Sequence, residues 1–113
     1  DKTLRFFASE IVREKILRFY DKEIPYCCQI EIESYKEEPA IDRISAVIHV
    51  ARDSQKGILI GRRGEMLKRV GRAAREDMEQ FLGKKVFLQL FVKVSEDWRN
   101  DDRRLRQFGY ETE

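Results

Sequence analysis

Between Thr3 and Tyr20 the apolar residues Leu4, Phe7, Ala8, Ile11, Val12, Ile16 and Phe19 recur at intervals of three and four. That spacing predicts an amphipathic helix over residues 3–20, with Thr3 as its N-cap. After Pro25 the period falls to two. Cys28, Ile30 and Ile32 share one face, Gln29, Glu31 and Glu33 the other, so residues 26–35 read as a strand with one wet face. Residues 36–40, with Pro39 and two acids, form a turn. Ile44, Ala46, Ile48 and Val50 alternate in a second strand. Helical spacing then returns: a short helix capped by Asp53 or Ser54 runs to Ile60 and stops at Gly61. A longer helix runs from Gly64 to about Leu82, with Leu67, Val70, Ala74, Met78 and Phe81 inward and Gly83 as its stop. Residues 86–94 carry an aliphatic side chain at every even position and predict a third strand. Asn100 caps a last helix that ends at Gly109, pinned by Trp98 and Phe108.

The fold class expected from this order is α+β: a three-stranded sheet with helices packed on one face, and residues 57–64 a helix-turn rather than a hairpin. No linker, repeat or low-complexity tract interrupts the 113 residues, which suit a single domain with one core. No apolar run approaches the ~20 residues a membrane span needs, and no signal-peptide pattern opens the chain. A first residue of Asp rather than Met suggests a trimmed fragment. The adjacent Cys27 and Cys28 would point to opposite faces of a strand, which predicts free thiols and a reducing cytosol.

Charge changes the picture more than composition does. Residues 1–53 hold nine Lys/Arg against eleven Asp/Glu, residues 54–94 ten against four, and residues 95–113 four against six. A net charge of +2 thus conceals a strongly basic middle third, the electrostatic footprint expected for a polyanion. At its centre stands Gly61-Arg62-Arg63-Gly64. The glycines permit positive φ and close approach of another backbone. The arginines place fixed charge beside the free N–H groups at the start of the next helix. Lys56 and Lys68 flank this turn, and Lys68, Arg72 and Arg75 share one helix face.

Other chemistries lack their parts. No Ser/His/Asp, Cys/His or metal-ligand constellation stands in the chain. His49, the one histidine, takes an outward strand position, and Glu31 and Glu33 have no ligand partners. No G-x-x-x-x-G-K-[ST] phosphate loop is present. Two helices joined by a glycine turn also describe a DNA-reading helix-turn-helix, but the first helix is short and strands adjoin both sides. Phe87 and Phe91 share the third strand's other face, where a second packing surface, a partner-contact patch or base stacking are the alternatives.

The I-G-x-x-G-x-x-L run around residues 60–67 resembles the GXXG loop of KH domains, which clamps about four nucleotides of a single strand. A helix–strand unit ahead of a β-α-α-β core is the type II KH arrangement. Gly83–Val94, Asp97-Trp98-Arg99 and Leu105–Tyr110, with Glu23–Tyr26 and Ser54–Gly57, are similar to the C-terminal KH domain of the Era family of bacterial GTPases. The likeness runs from about Phe6 to Tyr110. It implies a type II KH domain over residues 1–113 that binds single-stranded RNA at the 3′ end of 16S ribosomal RNA. It further implies a part in assembling the small (30S) subunit, peripheral contact with the inner membrane, a cytoplasmic location and a monomer. GTP and Mg would belong to an N-terminal GTPase domain absent from this fragment, which would itself need no cofactor. The RNA-binding set is expected to be Lys56, Ile58, Ile60, Gly61, Arg62, Arg63, Gly64, Lys68 and Arg72. In the groove that the resemblance implies, Ile58 and Ile60 would give bases an apolar floor, with the second strand as the opposite wall.

Overall fold

The computed structural model describes residues 1–21 and 23–95, so the predicted last helix, with Trp98 and Phe108, lies outside the described residues. Along the chain come α1 (Lys2–Phe19), α2 (Glu23–Cys27), β1 (Cys28–Glu37), β2 (Ile41–Val50) and α3 (Asp53–Ile60). A single 3-10 turn (Arg62–Gly64), α4 (Glu65–Leu82) and β3 (Lys85–Val94) follow.

Helix α1 starts one cap earlier than expected. Asp1 accepts the Thr3 N–H at 2.7 Å, which leaves Thr3 inside the first turn. Its buried stripe is Ala8, Val12 and Ile16. The five-residue α2 departs from the expected strand start, because Pro25 reads as a breaker. In a first turn, however, the missing N–H of proline costs no intrahelical bond, and Ile24, Pro25 and Cys27 are all buried. Strand β1 consequently begins at Cys28. Both cysteines are buried thiols, Cys27 donating to the Ile24 carbonyl and Cys28 to that of Pro25.

β1 pairs antiparallel with β2, and β2 pairs parallel with β3, which makes β2 the centre of the sheet. A parallel pair needs a crossover, and α3, the 3-10 turn and α4 supply it. On the core face Cys28, Ile30 and Ile32 stand opposite Val50, Ile48 and Ala46. A register shift between Ile32 and Ser34 then inserts one extra residue, Glu33. That bulge flips the phase of β1 and brings Tyr35, opposite Ile44, onto the core face, where strict alternation would have turned it away. Tyr35 donates to Asp42 Oδ2 at 2.7 Å, while Oδ1 of this buried carboxylate lies 2.7 Å from the Lys84 ammonium. Burial, then the Asp42 contact, holds the Tyr35 phenol well above its ordinary pKa.

Helices α1 and α4 lie on this face and close the core over Ile44, Ile48, Leu59 and Val70. Val70, Ala74 and Met78 are fully buried, but Phe81 is 73% exposed and Leu82 packs inward instead. The stripe advances by four at each step, so the fourth position lands on Leu82. Phe81 stacks on Phe7 of α1 at 4.4 Å between ring centroids. Glu79 accepts from the Val86 N–H at 3.0 Å and pairs with Arg75 at 2.9 Å, which ties the end of α4 to the start of β3. The Val86 N–H, then Arg75, keeps the Glu79 carboxyl below its ordinary range.

Lys15 is the unforeseen member of the α1–α4 seam. Only 2% exposed, it is held by Asp77 and by Glu14 at 2.7 Å. Those hydrogen bonds, Asp77 first, raise its pKa above 10.5 against the opposing effect of burial. His49 also departs from the surface position expected for it. It is 7% exposed on the sheet's second face, its Nδ1 2.8 Å from Ser95 Oγ and its Nε2 2.8 Å from Glu31 Oε1.

Candidate nucleic-acid interface

The basic turn is built by two helices that meet head to tail. At the start of α3, Gln55 rather than Asp53 or Ser54 does the capping: its side-chain oxygen accepts from the N–H groups of Ala51 and Arg52 at 3.2 and 3.0 Å. Helix α3 ends when Gly61 donates to Gly57 at 2.9 Å and turns to φ 74°, ψ 178°. That region is open almost only to glycine. A Cβ on Gly61 would also sit 2.6 Å from Met66 Cγ. Gly61 is thus required twice, by dihedral and by space. Arg63 (φ 58°) and Gly64 (φ 75°) follow in the left-handed region, and Gly64 donates back to Gly61 at 3.1 Å. Nothing lies within 4 Å of a Cβ built on Gly64, so its outer side is open to a ligand.

Arg62 and Arg63 are exposed at the tip of this turn. The N-terminus of the 18-residue α4 begins immediately behind them and aims its free N–H groups and dipole the same way. Beyond the turn an open cleft of about 480 Å³ runs between α4 and β3, lined by Gly64, Leu67, Lys68, Gly71, Arg72, Arg75, Leu88 and Leu90. Leucines form its apolar walls and three cations its rim. Among the described residues Arg62, Arg63, Lys68 and Arg72 make no ion pair, whereas Arg75 is bound to Glu79.

The structure brings Gly64, Lys68 and Arg72 to one cleft and places Gly61, Arg62 and Arg63 at its mouth. It does not bring Ile58 there. Ile58 is 49% exposed in a separate hollow with Phe19, Tyr20, Asp21, Glu23, Ile24 and Met66, on the α1 side of the turn. Ile60 and Lys56 are half-buried on α3 and line neither hollow. The expected groove wall is also corrected. Strand β2 is paired along both edges, so the free wall is the edge strand β3. Leu67, Leu88, Leu90 and Gly71 were missed as cleft residues. The leucines were legible as inward-facing, but only strand order shows that their part of the core face opens at a sheet edge.

The turn is also tied from behind. Tyr20 of α1 donates to the Leu59 carbonyl at 2.5 Å, occupying an acceptor that the end of α3 would leave free. Burial pushes the Tyr20 phenol up to about 12, so this donor keeps its proton at any physiological pH. Among the described residues no cluster of three His, Cys, Asp or Glu suits a metal ion, and no helix is long and apolar enough to cross a membrane.

Comparison with known proteins agrees with this geometry. Residues 23–99 match the KH domain family. GTPase Era of Syntrophus aciditrophicus is 52% identical over 112 residues, covering 97% of this chain and 37% of that protein. GTPase Era of a Geobacter species is 53% identical over 108 residues, 95% of this chain and 36% of its own length. The chain therefore spans a little over a third of the curated relatives it matches. Among solved structures, Era in complex with MgGDPNP and nucleotides 1506–1542 of 16S ribosomal RNA superposes with a TM-score of 0.90 at 39% identity, over 96% of this chain and 37% of that one. Aquifex aeolicus Era bound to GDP and AlF4- gives 0.88 at the same identity and coverage.

Proposed function

The chain belongs to the KH domain family, and from that premise we propose that it binds single-stranded RNA through its Gly61–Gly64 turn and the α4–β3 cleft. The observation that carries this reading is the set of cations without an ion pair among the described residues, Arg62, Arg63, Lys68 and Arg72, gathered where the backbone at Gly64 lies open. Phosphates rest against the turn and the N-terminus of α4, and bases turn toward Leu67, Leu88 and Leu90. Lys56 supports the same track from α3. The reading covers residues 1–113 as one RNA-binding domain.

The RNA proposed is the 3′ end of 16S ribosomal RNA, because Era, similar over nearly this whole chain, has been seen with nucleotides 1506–1542 of it. A role in small-subunit assembly follows as part of the proposal, with GTP and Mg handled by a GTPase domain outside this chain. Any contact with the inner membrane would be peripheral. Phosphate contacts release counterions, so with three to five of them the log–log salt slope is about −2 to −3.5 at roughly −0.7 per contact on a single strand. The test measures binding to RNA 1506–1542 and to duplex DNA of equal length across a salt series. Salt-sensitive preference for the RNA is expected. Equal affinity for the duplex, or no salt dependence, would end the reading.

A further inference from the structure

Resting on the RNA-binding reading above, we infer that the outer face of β3 is a second RNA contact, away from the cleft. There Phe87 and Phe91 each stack a base while Lys85 and Lys93 hold phosphates. Strand β3 alternates strictly: its even positions turn to the core face, and Lys85, Phe87, Gln89, Phe91 and Lys93 turn to the other. All five are exposed, Phe87 by 44% and Phe91 by 49%. The second face is not open everywhere, since Val47 and His49, their neighbours on β2, are each 7% exposed. What stays open is a strip along the sheet edge that reads cation, ring, amide, ring, cation.

Strand propensity accounts for a single exposed phenylalanine, but not for the charges set around two of them. Lys85 and Lys93 make no ion pair among the described residues. Arg43 stands opposite Phe87 in register, its guanidinium 5.7 Å from the ring centroid, and widens the shelf a base can cover. Glu31, the acid nearest on this face, is taken by His49. The strip therefore complements a chain that is anionic and carries flat rings. A protein partner suits it less, because interface cores are depleted in lysine and Gln89 divides the apolar surface. A second copy laid face to face about Gln89 would set Lys85 against Lys93. The rings lie about 13 Å apart at ~3.3 Å per residue, so each takes its own base, with the Gln89 amide between them as donor and acceptor. Continuity favours the same occupant. Leu88 and Leu90 of this strand line the cleft, so only the width of one strand separates the two contacts. A GXXG turn clamps about four nucleotides, far fewer than nucleotides 1506–1542 provide.

The test titrates RNA 1506–1542 across a salt series, with thermal unfolding of each variant. Phe87→Leu with Phe91→Leu keeps the apolar bulk but removes both π faces, and binding should weaken at least roughly thirtyfold, the low end for two stacked bases. Phe87→Tyr with Phe91→Tyr keeps the faces and should bind within a few-fold of the parent. Lys85→Gln with Lys93→Gln should flatten the log–log salt slope by about 1.4, roughly 0.7 per phosphate. All these side chains are exposed, so the thermal transitions should stay near the parent's. If the leucine pair does not fold, the lysine pair decides alone. A leucine pair that folds and binds like the parent, a tyrosine pair as weak as the leucine pair, or an unchanged slope for the lysine pair overturns the strip. So does a parent dimer in sedimentation that the leucine pair dissociates without loss of RNA binding. Where the strip fails these tests but Arg62→Asp with Arg63→Asp still abolishes binding, the turn-and-cleft reading stands without it. If the parent binds no RNA, both fall.

Discussion

Helix α4 has two charged flanks. On the α1 side Lys15 is almost fully buried and held by Glu14 and Asp77. On the β3 side Lys68 and Arg72 stand exposed and make no ion pair among the described residues, and the exposed Arg62 and Arg63 continue the track round the turn. A charge that the fold itself uses must be neutralised, because burying it unpaired costs several kcal/mol. Charges left unpaired on an open surface do nothing for folding, and like charges four residues apart on a helix are mildly unfavourable. Their partner has to come from outside. Side by side, the two flanks separate charge that holds the molecule together from charge that awaits a polyanion.

The largest expected effect tests the unpaired flank. Arg62→Asp with Arg63→Asp reverses the charge at the turn while keeping the exposed side chains polar. The thermal transition should stay in place, within the ~0.5 kcal/mol usual for surface changes. RNA binding, measured by titration, should fall at least roughly a hundredfold, about 2.7 kcal/mol. A variant that folds and binds within a few-fold of the parent would erase the distinction.

Next come the two glycines that present those arginines. Gly61→Ala meets both a forbidden dihedral and Met66, so denaturant unfolding should show a loss of roughly 2–3 kcal/mol. Gly64→Ala meets only the left-handed dihedral, with open space around it, and should lose about 1 kcal/mol. Equal losses would mean that neither Met66 nor the more restricted dihedral of Gly61 adds to the cost.

The paired flank should answer in the opposite way. Lys15→Ala removes two charge-assisted hydrogen bonds, but Glu14 and Asp77 are about half exposed and rehydrate. The expected loss of stability is about 1.5 kcal/mol, with RNA affinity within twofold. If Lys15→Ala instead abolished RNA binding without lowering stability, the flanks would not be separable.

The smallest effect is one of pH. Glu79, with its pKa below 4.5 in the folded state, contributes stability that is fully present above that value and fades as pH falls below it. Glu79→Gln should make stability flatter with pH in the acid range, as followed by thermal melts between pH 5 and 3. An unchanged acid limb would show that other carboxyls dominate it.

Much of this was legible from periodicity alone. The strands, both long helices, the turn and its charge follow from patterns of two, three and four, which local sterics impose directly. The departures have tertiary causes. Tyr35 needed a bulge that no alternation announces. Phe81 lost its inward place to Leu82, one residue further along a drifting stripe. His49 sits on a face whose burial depends on neighbours remote in sequence. Ile58 and the groove wall were misplaced for one reason: a single sequence gives the order of strands along the chain but not their order in the sheet, and with β3 at the edge the cleft opens there.

Finally, the Tyr20 hydroxyl on the Leu59 carbonyl bears on the kinetics and heat of association. The turn is fastened behind by that bond, within by Gly61 to Gly57 and Gly64 to Gly61, and beneath by Met66. A recognition loop already locked in one shape surrenders little conformational entropy when its ligand arrives. Encounter then needs no slow rearrangement, so a single exponential phase linear in RNA concentration should describe its approach. Tyr20→Phe, which frees that carbonyl, should show its deficit as a less favourable entropy of binding in calorimetry.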